Sequence, residues 1–298
     1  MRIICGYILL LFMLGKPLAK GQNGIVVFQS DFGLKDGAVS AMKGVAIGVS
    51  PTLTLLDLTH EIPAYNIWEA AYRLHQTVPY YPKGTVFVSV CDPGVGTERH
   101  SIVMQTKSGH YIVTPDNGTL TLVAEHLGIL EVRQIDEAIN RLKNSGASYT
   151  FHGRDVYAYT AARLASRTIT FEQVGPKLPD EVVRLPYQKA EYSKGTVKGN
   201  IPVLDVQYGN VWSNIPRAMI DQLGLKTGEI VHVQIFHEGA TLYDKAVRLV
   251  NTFGEAATGD DVGYVNSLLN FSIAVNQGNF SEKYKVFSGP DWKIVVSK

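Results

Sequence analysis

Apolar and polar positions change rhythm along the chain, and the rhythm divides it. From Ile25 to about Ala165, short apolar runs of strand length alternate with stretches of helical period. Ile25-Val26-Val27-Phe28 and the β-branched run Thr85–Cys91 read as buried strands, and Leu53–Asp57 as another strand. Ala38–Val49 reads as a helix with small residues on one side, and Trp68–Val78 as an amphipathic helix. Ser101–Thr106 and His110–Thr114, split by Lys107-Ser108-Gly109, predict a hairpin. Helices are expected at about Thr119–His126 and Val156–Ala165. Strands alternating with helices predict a central sheet covered on both faces.

Beyond Gly175-Pro176-Lys177-Leu178-Pro179 the rhythm becomes that of strands. Lys194–Gln207, Glu229–His237, Asn270–Asn276 and Trp292–Val296 are strand-like, with short helical stretches between them. The expected organisation is α/β: an N-terminal α/β domain over residues 24–180 with a central, mostly parallel sheet, then a β-barrel-like domain over 190–298. Pro179–Pro186 is the expected linker.

The first twenty residues follow neither rhythm. Met1-Arg2 precedes an apolar run from Ile3 to Leu14, then Gly15-Lys16-Pro17 and Leu18-Ala19. That order of charged, apolar and small residues predicts a signal peptide over 1–20, cut near Ala19, and hence export to the periplasm or medium. The apolar run falls short of the roughly 20 residues a membrane-spanning helix needs. Cys5 would leave with the signal, so the exported chain keeps Cys91 alone and no internal disulfide. At the end of an apolar strand, Cys91 reads as a small buried hydrophobe.

Composition adds exclusions. Hydrophobic residues make up 45% and charged residues 18%, ordinary values for a chain with a substantial core. A net charge of +1 without a Lys or Arg run gives no sign of nucleic acid or an anionic membrane as partner.

Four polar strings stand at strand ends or turns, where an α/β sheet places ligands. Ser30-Asp31-Phe32-Gly33-Leu34-Lys35-Asp36-Gly37 follows the first strand. Asp31 could accept hydrogen bonds from vicinal ribose hydroxyls, whereas Asp36, just before a helix, also reads as an N-cap. Asp92-Pro93-Gly94-Val95-Gly96-Thr97-Glu98-Arg99 is a turn whose backbone could approach a ligand. A surface ion pair would account for Asp92 and Arg99, but a carboxylate at the end of an apolar strand is costly without a partner or a task. Phe151-His152-Gly153-Arg154-Asp155 opens a helix, and Asp205-Val206-Gln207-Tyr208-Gly209-Asn210-Val211-Trp212-Ser213-Asn214-Ile215 mixes amide, aromatic and glycine residues suited to a flat heterocycle.

In this order the strings Ser-Asp-Phe-Gly, Asp-Pro-Gly-Val-Gly-Thr, His-Gly-Arg-Asp and Tyr-Gly-Asn-Val-Trp resemble the S-adenosylmethionine hydroxide adenosyltransferase family, hydrolase relatives of the fluorinase and chlorinase enzymes. The resemblance runs from about Ile25 to Lys298. It implies hydrolysis of S-adenosyl-L-methionine by water attack at ribose C5′, with no cofactor and no metal. It implies that Asp92, Arg99 and His152 hold and polarise the water. Asp31 matches the ribose carboxylate, Asp36 a position near the methionine end, and Tyr65 an aromatic beside ribose and adenine. Asp205 and Asn210 match contacts to the methionine amine and to adenine. Homotrimers with sites between subunits are implied as well. One departure stands out: Asn266-Ser267 matches a substrate-binding pair that usually continues with glycine, whereas Leu268-Leu269-Asn270-Phe271 follows here.

Three other functions compete. A halogenase acting on the same substrate has no use for a carboxylate at Asp92, which would repel a halide. A calcium-dependent nucleoside hydrolase needs a denser acidic cluster than Asp31 and Asp36 supply. A non-catalytic binder of adenosine or S-adenosylmethionine needs the pocket without Asp92, Arg99 and His152.

Overall fold

A computed structural model describes residues 21–298, so the expected signal segment lies outside the described residues. No helix among the described residues is long and apolar enough to cross a membrane.

The N-terminal domain runs β1 (Ile25–Ser30), α1 (Ala38–Val49), β2 (Thr54–Thr59), α2 (Ile67–Thr77), β3 (Val86–Val90), β4 (Ser101–Thr106), β5 (Tyr111–Pro115), α3 (Thr121–Leu127), β6 (Ile129–Gln134), α4 (Glu137–Asn140), α5 (Tyr159–Ala165) and β7 (Lys177–Leu178). Its sheet has the order β2-β1-β3-β5-β4-β6-β7. The expectation of a mostly parallel sheet is corrected: β1 pairs parallel with β2 and β3, and β3 with β5, but β4 is antiparallel to β5 and β6, and β6 to β7. The sheet is mixed because the tight Lys107-Ser108-Gly109 turn reverses the chain, where a parallel neighbour would need a long crossover.

Alternation along the central strands shows why both faces are covered. Val26, Phe28, Val86, Val88 and Val90 face one core with Val39, Met42 and Ala46 of α1 and Ala161, Ala162 and Leu164 of α5. Val27 and Phe87 face the other with Leu74 of α2 and Val123 and Ala124 of α3. A period of two thus sends consecutive residues to opposite cores. Full burial of a Val or Phe side chain stabilises by roughly 1.5–3 kcal/mol, which fixes the strand register and with it the loops at the strand ends.

The second domain runs β8 (Glu191–Ser193), β9 (Thr196–Ile201), β10 (Val203–Asp205), β11 (Asn210–Pro216), α6 (Arg217–Gln222), β12 (Ile230–His237), β13 (Ala240–Leu249), β14 (Asp261–Val265), β15 (Asn270–Val275), α7 (Phe280–Tyr284) and β16 (Gly289–Ser297). Its nine strands have the order β10-β11-β15-β14-β13-β12-β16-β9-β8, and all pairs are antiparallel except β13 with β14. The hydrogen-bonded order ends at β10 and β8, so among the described residues it is an open series rather than a closed barrel. The sheet nevertheless curls: the Asn200 amide of β9 donates 2.7 Å to Asn214 Oδ1 of β11.

Two indole- and guanidinium-mediated bonds join the domains. Trp68 Nε1 donates 2.9 Å to the Pro202 carbonyl, and Arg73 donates 3.3 Å to the Leu204 carbonyl. Trp68, Tyr72, Leu122 and Val203 form a buried cluster at this junction, with Leu185 and Tyr187 packed on it.

Candidate active site

Strands β1 and β3 end side by side, with Ser30 opposite Val90 in the register, so their following turns share one rim. Asp31 leaves β1 there and Asp92 follows β3. Asp31 Oδ2 accepts from the Tyr65 amide at 2.9 Å and lies 3.6 Å from Cys91 Sγ. Tyr65 is 73% exposed and has φ 67, a left-handed conformation that costs a bulky residue about 1–3 kcal/mol. The bond from its amide to Asp31 is one compensation the structure shows. Burial and the neighbouring Asp31 carboxylate push the Cys91 thiol well up, so it is no nucleophile at neutral pH.

Asp92 is 5% exposed at its side chain and Arg99 12%, so their pairing takes place nearly out of water. Arg99 Nε lies 2.9 and 3.1 Å from the two carboxylate oxygens, and its NH2 donates to Oδ2 at 2.5 Å. Its NH1 donates 2.9 Å to Ser101 Oγ, which lies 3.1 Å from the Tyr157 hydroxyl. Tyr157 OH in turn points at Asp92 Oδ2, 3.5 Å away. Burial alone would lower the Arg99 pKa, but the Asp92 carboxylate outweighs it and the net shift is upward. Arg99 therefore stays charged and keeps a cation beside Asp92.

His152 reaches this pair from a different element. Gly153–Ala158 is a π-helical turn leading into α5, a widened geometry common at functional sites. Gly153 packs against α1: a Cβ there would stand 3.2 Å from Met42 Sδ and 3.3 Å from the Phe32 ring. His152 is buried, with Nδ1 3.2 Å from Arg99 NH2 and Nε2 2.8 Å from Arg141 NH2. Burial, reinforced by Arg99 and Arg141 and opposed by Glu137, holds its pKa below the usual imidazole value.

Asp31, Tyr65, Asp92 and His152 line one cavity of about 260 Å³, together with Phe32 and Phe151. Arg99 stands behind Asp92 rather than on the cavity wall. A second cavity, about 740 Å³, lies in the second domain and is lined by Tyr208, Asn210, Phe253, Asn276 and Gln277 among others. The two cavities share no lining residue. Gly209 at φ 65 abuts the Asn279 side chain so closely that no Cβ would fit, which fixes the turn carrying Tyr208 and Asn210.

Other residues singled out from the sequence stand apart from both cavities. Asp36 is exposed and accepts 2.9 Å from the Ala38 amide, but the N-cap of α1 is Gly37, so the capping reading of Asp36 is corrected to a turn one residue earlier. Asp205 ends β10, and its carbonyl accepts from the Gly209 amide at 2.7 Å. Ser267 is exposed. Its neighbour Asn266 is buried and uses Oδ1 to hold the amides of Leu268 and Asn270, so it shapes the turn, while Leu269 takes the left-handed φ of 60 where glycine would be unstrained. Sequence reasoning missed Ser101, Tyr157, Glu137 and Arg141. Tyr157 lies five residues past His152 and was within reach of inspection; nothing local marks the other three.

Among the described residues no group of three or more His, Cys, Asp or Glu side chains is placed to hold a metal ion. A nearly buried carboxylate locked to a guanidinium, a buried imidazole of lowered pKa beside them and a cavity in front make a class of site suited to orienting a small nucleophile.

Comparison with known proteins gives that class its family. Residues 26–175 match the SAM hydroxide adenosyltransferase N-terminal domain and residues 199–293 the SAM hydroxide adenosyltransferase C-terminal domain. The chain belongs to the SAM hydroxide adenosyltransferase family. It is 38% identical over 218 residues to the (R)-S-adenosyl-L-methionine hydrolase of Methanocaldococcus jannaschii, covering 72% of this chain and 74% of that one. It is 34% identical over 273 residues to the enzyme of the same name from Salinispora tropica, covering 91% and 97%. A fluorinase from an Actinoplanes species is 28% identical over 292 residues, covering 90% and 96%. A crystal structure of an uncharacterized conserved protein from Thermotoga maritima superposes with a TM-score of 0.84 at 34% identity, over 92% of this chain and 100% of that one.

Proposed function

We propose that this protein is an enzyme that hydrolyses S-adenosyl-L-methionine to adenosine and L-methionine. The observation that carries the reading is the Asp92–Arg99 pair with His152 beside it, facing a cavity that Asp31 also lines. Relatives bearing the hydrolase name at 34% and 38% identity support the substrate and the reaction.

The chemistry needs little from the protein beyond positioning and electrostatics. Sulfur leaves the ribose C5′ as a neutral thioether, taking the C–S bonding pair, so no acid is required. Water attacks the same carbon from the opposite side, forms the C–O bond and must lose one proton. Asp92 accepts a hydrogen bond from that water and, as the bond forms, its proton, which then passes to solvent. Arg99 orients the Asp92 carboxylate and places a positive charge beside it, and His152 supplies a further hydrogen bond to fix the lone pair in line with the C–S bond. Asp31 accepts from the ribose hydroxyls, and Tyr65 covers the ribose and adenine. In this reading Asn210 meets the adenine, while Asp36, Asp205 and Ser267 belong to the methionine end.

We further propose that the protein assembles as a homotrimer, with the 260 Å³ cavity of one subunit closed by the second domain of its neighbour. The absence of any shared lining residue between the two cavities supports this arrangement. It would also give the second sheet its place as a barrel-like wall. The apolar N-terminal segment supports export, in which case the enzyme meets its substrate after release from cells.

Incubation of the purified protein with S-adenosylmethionine and a chelator, followed by chromatography, tests the function. Adenosine and methionine in equal amounts are expected. Intact substrate after incubation with folded, trimeric protein would reject it in favour of a binding role.

A further inference from the structure

His152 sits between two guanidinium groups, and an imidazole cannot accept from both. Arg99 NH2 lies 3.2 Å from Nδ1 and Arg141 NH2 lies 2.8 Å from Nε2. A neutral ring has one lone pair in its plane and one N–H, so only one of these contacts is a hydrogen bond. Which one is decided by what each arginine has besides. Arg99 already donates to both oxygens of Asp92 and to Ser101. Arg141 reaches one carboxylate, Glu137, through Nε and NH2, and its buried NH1 has no partner among the described residues. The imidazole is the other acceptor within its reach, and the shorter contact belongs to it.

Arg141 is itself held in place. It follows α4, where Glu137 is one helical turn earlier, and its guanidinium lies 4.7 Å from the Tyr149 ring centre. The next residue, Leu142, donates its amide 2.8 Å to the Asp155 carbonyl in the π-helical turn that carries His152. The loop and the histidine are thus tied to one another by backbone as well as side chain.

We propose that Arg141 is a positioning residue that fixes the tautomer of His152, keeping the lone pair on Nε2 and the proton on Nδ1. Nδ1 lies on the side of the ring nearest Arg99, which pairs with Asp92, and the mechanism proposed above puts the attacking water on that side. His152 then acts as a fixed donor to the water oxygen, while Asp92 accepts the water proton. The histidine is no base in this arrangement: the neutral ring turns one N–H toward a guanidinium, at the longer 3.2 Å contact with Arg99, whereas an imidazolium would also turn an N–H on Arg141 at 2.8 Å. The kinetic arm of the proposal rests on the hydrolase reading above; the tautomer itself does not.

Side-chain 15N NMR of the whole protein tests this, with the His152 signals assigned by their loss in His152→Gln. The expected result is a neutral ring protonated at Nδ1 in the wild type, and a shift toward the Nε2–H form in Arg141→Gln. Arg141→Lys, which keeps a cationic donor, should restore the Nδ1–H form. A wild-type ring protonated at Nε2 would overturn the proposal whether or not the protein turns over S-adenosylmethionine.

Kinetics supply an independent readout. Arg141→Gln should lower kcat by about tenfold or more, within the range of a positioned hydrogen-bonding group, while leaving KM within about threefold. The charged and titratable groups around the ring are Asp92, Arg99, Glu137, Arg141, Tyr149 and Tyr157. Arg141 disfavours and Glu137 favours the protonated ring, so the acid limb of kcat should move to higher pH in Arg141→Gln and to lower pH in Glu137→Gln. A slower Arg141→Gln enzyme with the wild-type tautomer and an unmoved pH profile would reduce Arg141 to a merely structural part and overturn the proposal. Should Arg141→Gln fail to fold, the wild-type tautomer and the Glu137→Gln profile still decide.

Discussion

Replacing Asp92 by Asn keeps size and shape but removes the charge that Arg99 was placed to meet. The two side chains are 5% and 12% exposed, so the guanidinium left behind has little water to compensate it. Breaking a buried ion pair from one side costs about 3–5 kcal/mol, and the residual access at Arg99 places this site near 3. For a domain of this size that corresponds to a fall in Tm of about 6–12 °C. Activity should fall much further, about a hundredfold or more in kcat, because an amide cannot take the water proton. Removing Arg99 as well, in Asp92→Asn with Arg99→Gln, should recover a large part of the stability and none of the activity.

That cycle separates two roles which a single substitution confuses. Differential scanning calorimetry on the wild type, both single variants and the double variant gives the coupling, and chromatographic release of adenosine gives the rates. If the double variant is no more stable than Asp92→Asn, the pair is not the buried, mutually dependent unit described here. If Asp92→Asn retains kcat within about threefold, the carboxylate does not handle the water proton, and the mechanism fails at its central step.

Three further outcomes follow from the same coordinates. The acid limb of kcat should lie below pH 6.5, since burial and two arginines lower the His152 pKa and protonation at Nε2 breaks the contact with Arg141 that positions the ring; a pH–rate profile with a limb above 6.5 would contradict that environment. His75 stacks on His126 at 4.2 Å, its Nδ1 is buried without a partner, and burial chiefly lowers its pKa to about 4. The unfolded chain therefore binds a proton that the folded one refuses, and unfolding free energy should drop by about 1.4 kcal/mol per pH unit from near pH 6.5 toward 4, a slope that denaturant melts should find flattened in His75→Phe. Asn210→Ala should raise KM by about tenfold with kcat within threefold, the loss of one or two hydrogen bonds to bound substrate, and an unchanged KM would remove Asn210 from the site.

The sequence made some of this legible and hid the rest for identifiable reasons. The core strands β1 and β3 were readable because both of their faces are buried and their apolar runs are nearly continuous. Strand β6 escaped because Glu131 and Arg133 interrupt it, a pair that is tolerated there through its own ion pair at 2.6 Å. The turn between β4 and β5 was visible, but its effect on the rest of the sheet depends on where β6 and β7 dock, which no local pattern records. Asp92 drew attention as a carboxylate at the end of an apolar strand, whereas Asp31 and His152 were singled out mainly by the resemblance of their strings to the family's motifs. Glu137 and Arg141 did not, because on a four-residue helix an acidic and a basic residue four apart read as an ordinary surface pair. Only the packing that buries Arg141 against His152 separates it from one.

The same packing bears on which nucleophile the site can take. Hydrolases and fluorinases are both similar to this chain over most of its length, the hydrolase of Salinispora tropica at 34% identity and the Actinoplanes fluorinase at 28%, so overall likeness favours water without giving the physical reason. The difference must come from the few ångströms around the reacting carbon. A halide there would have to enter beside an Asp92 carboxylate that is nearly buried and therefore poorly screened, and it would gain only what Arg99 has left after serving both carboxylate oxygens. Water faces the opposite balance. It offers a hydrogen bond to the Asp92 carboxylate and a lone pair to a histidine whose pKa is lowered by burial first and by two guanidiniums besides. In the proposed mechanism a negatively charged competitor is repelled by the very group that activates the neutral one, so selectivity and activation would come from the same carboxylate.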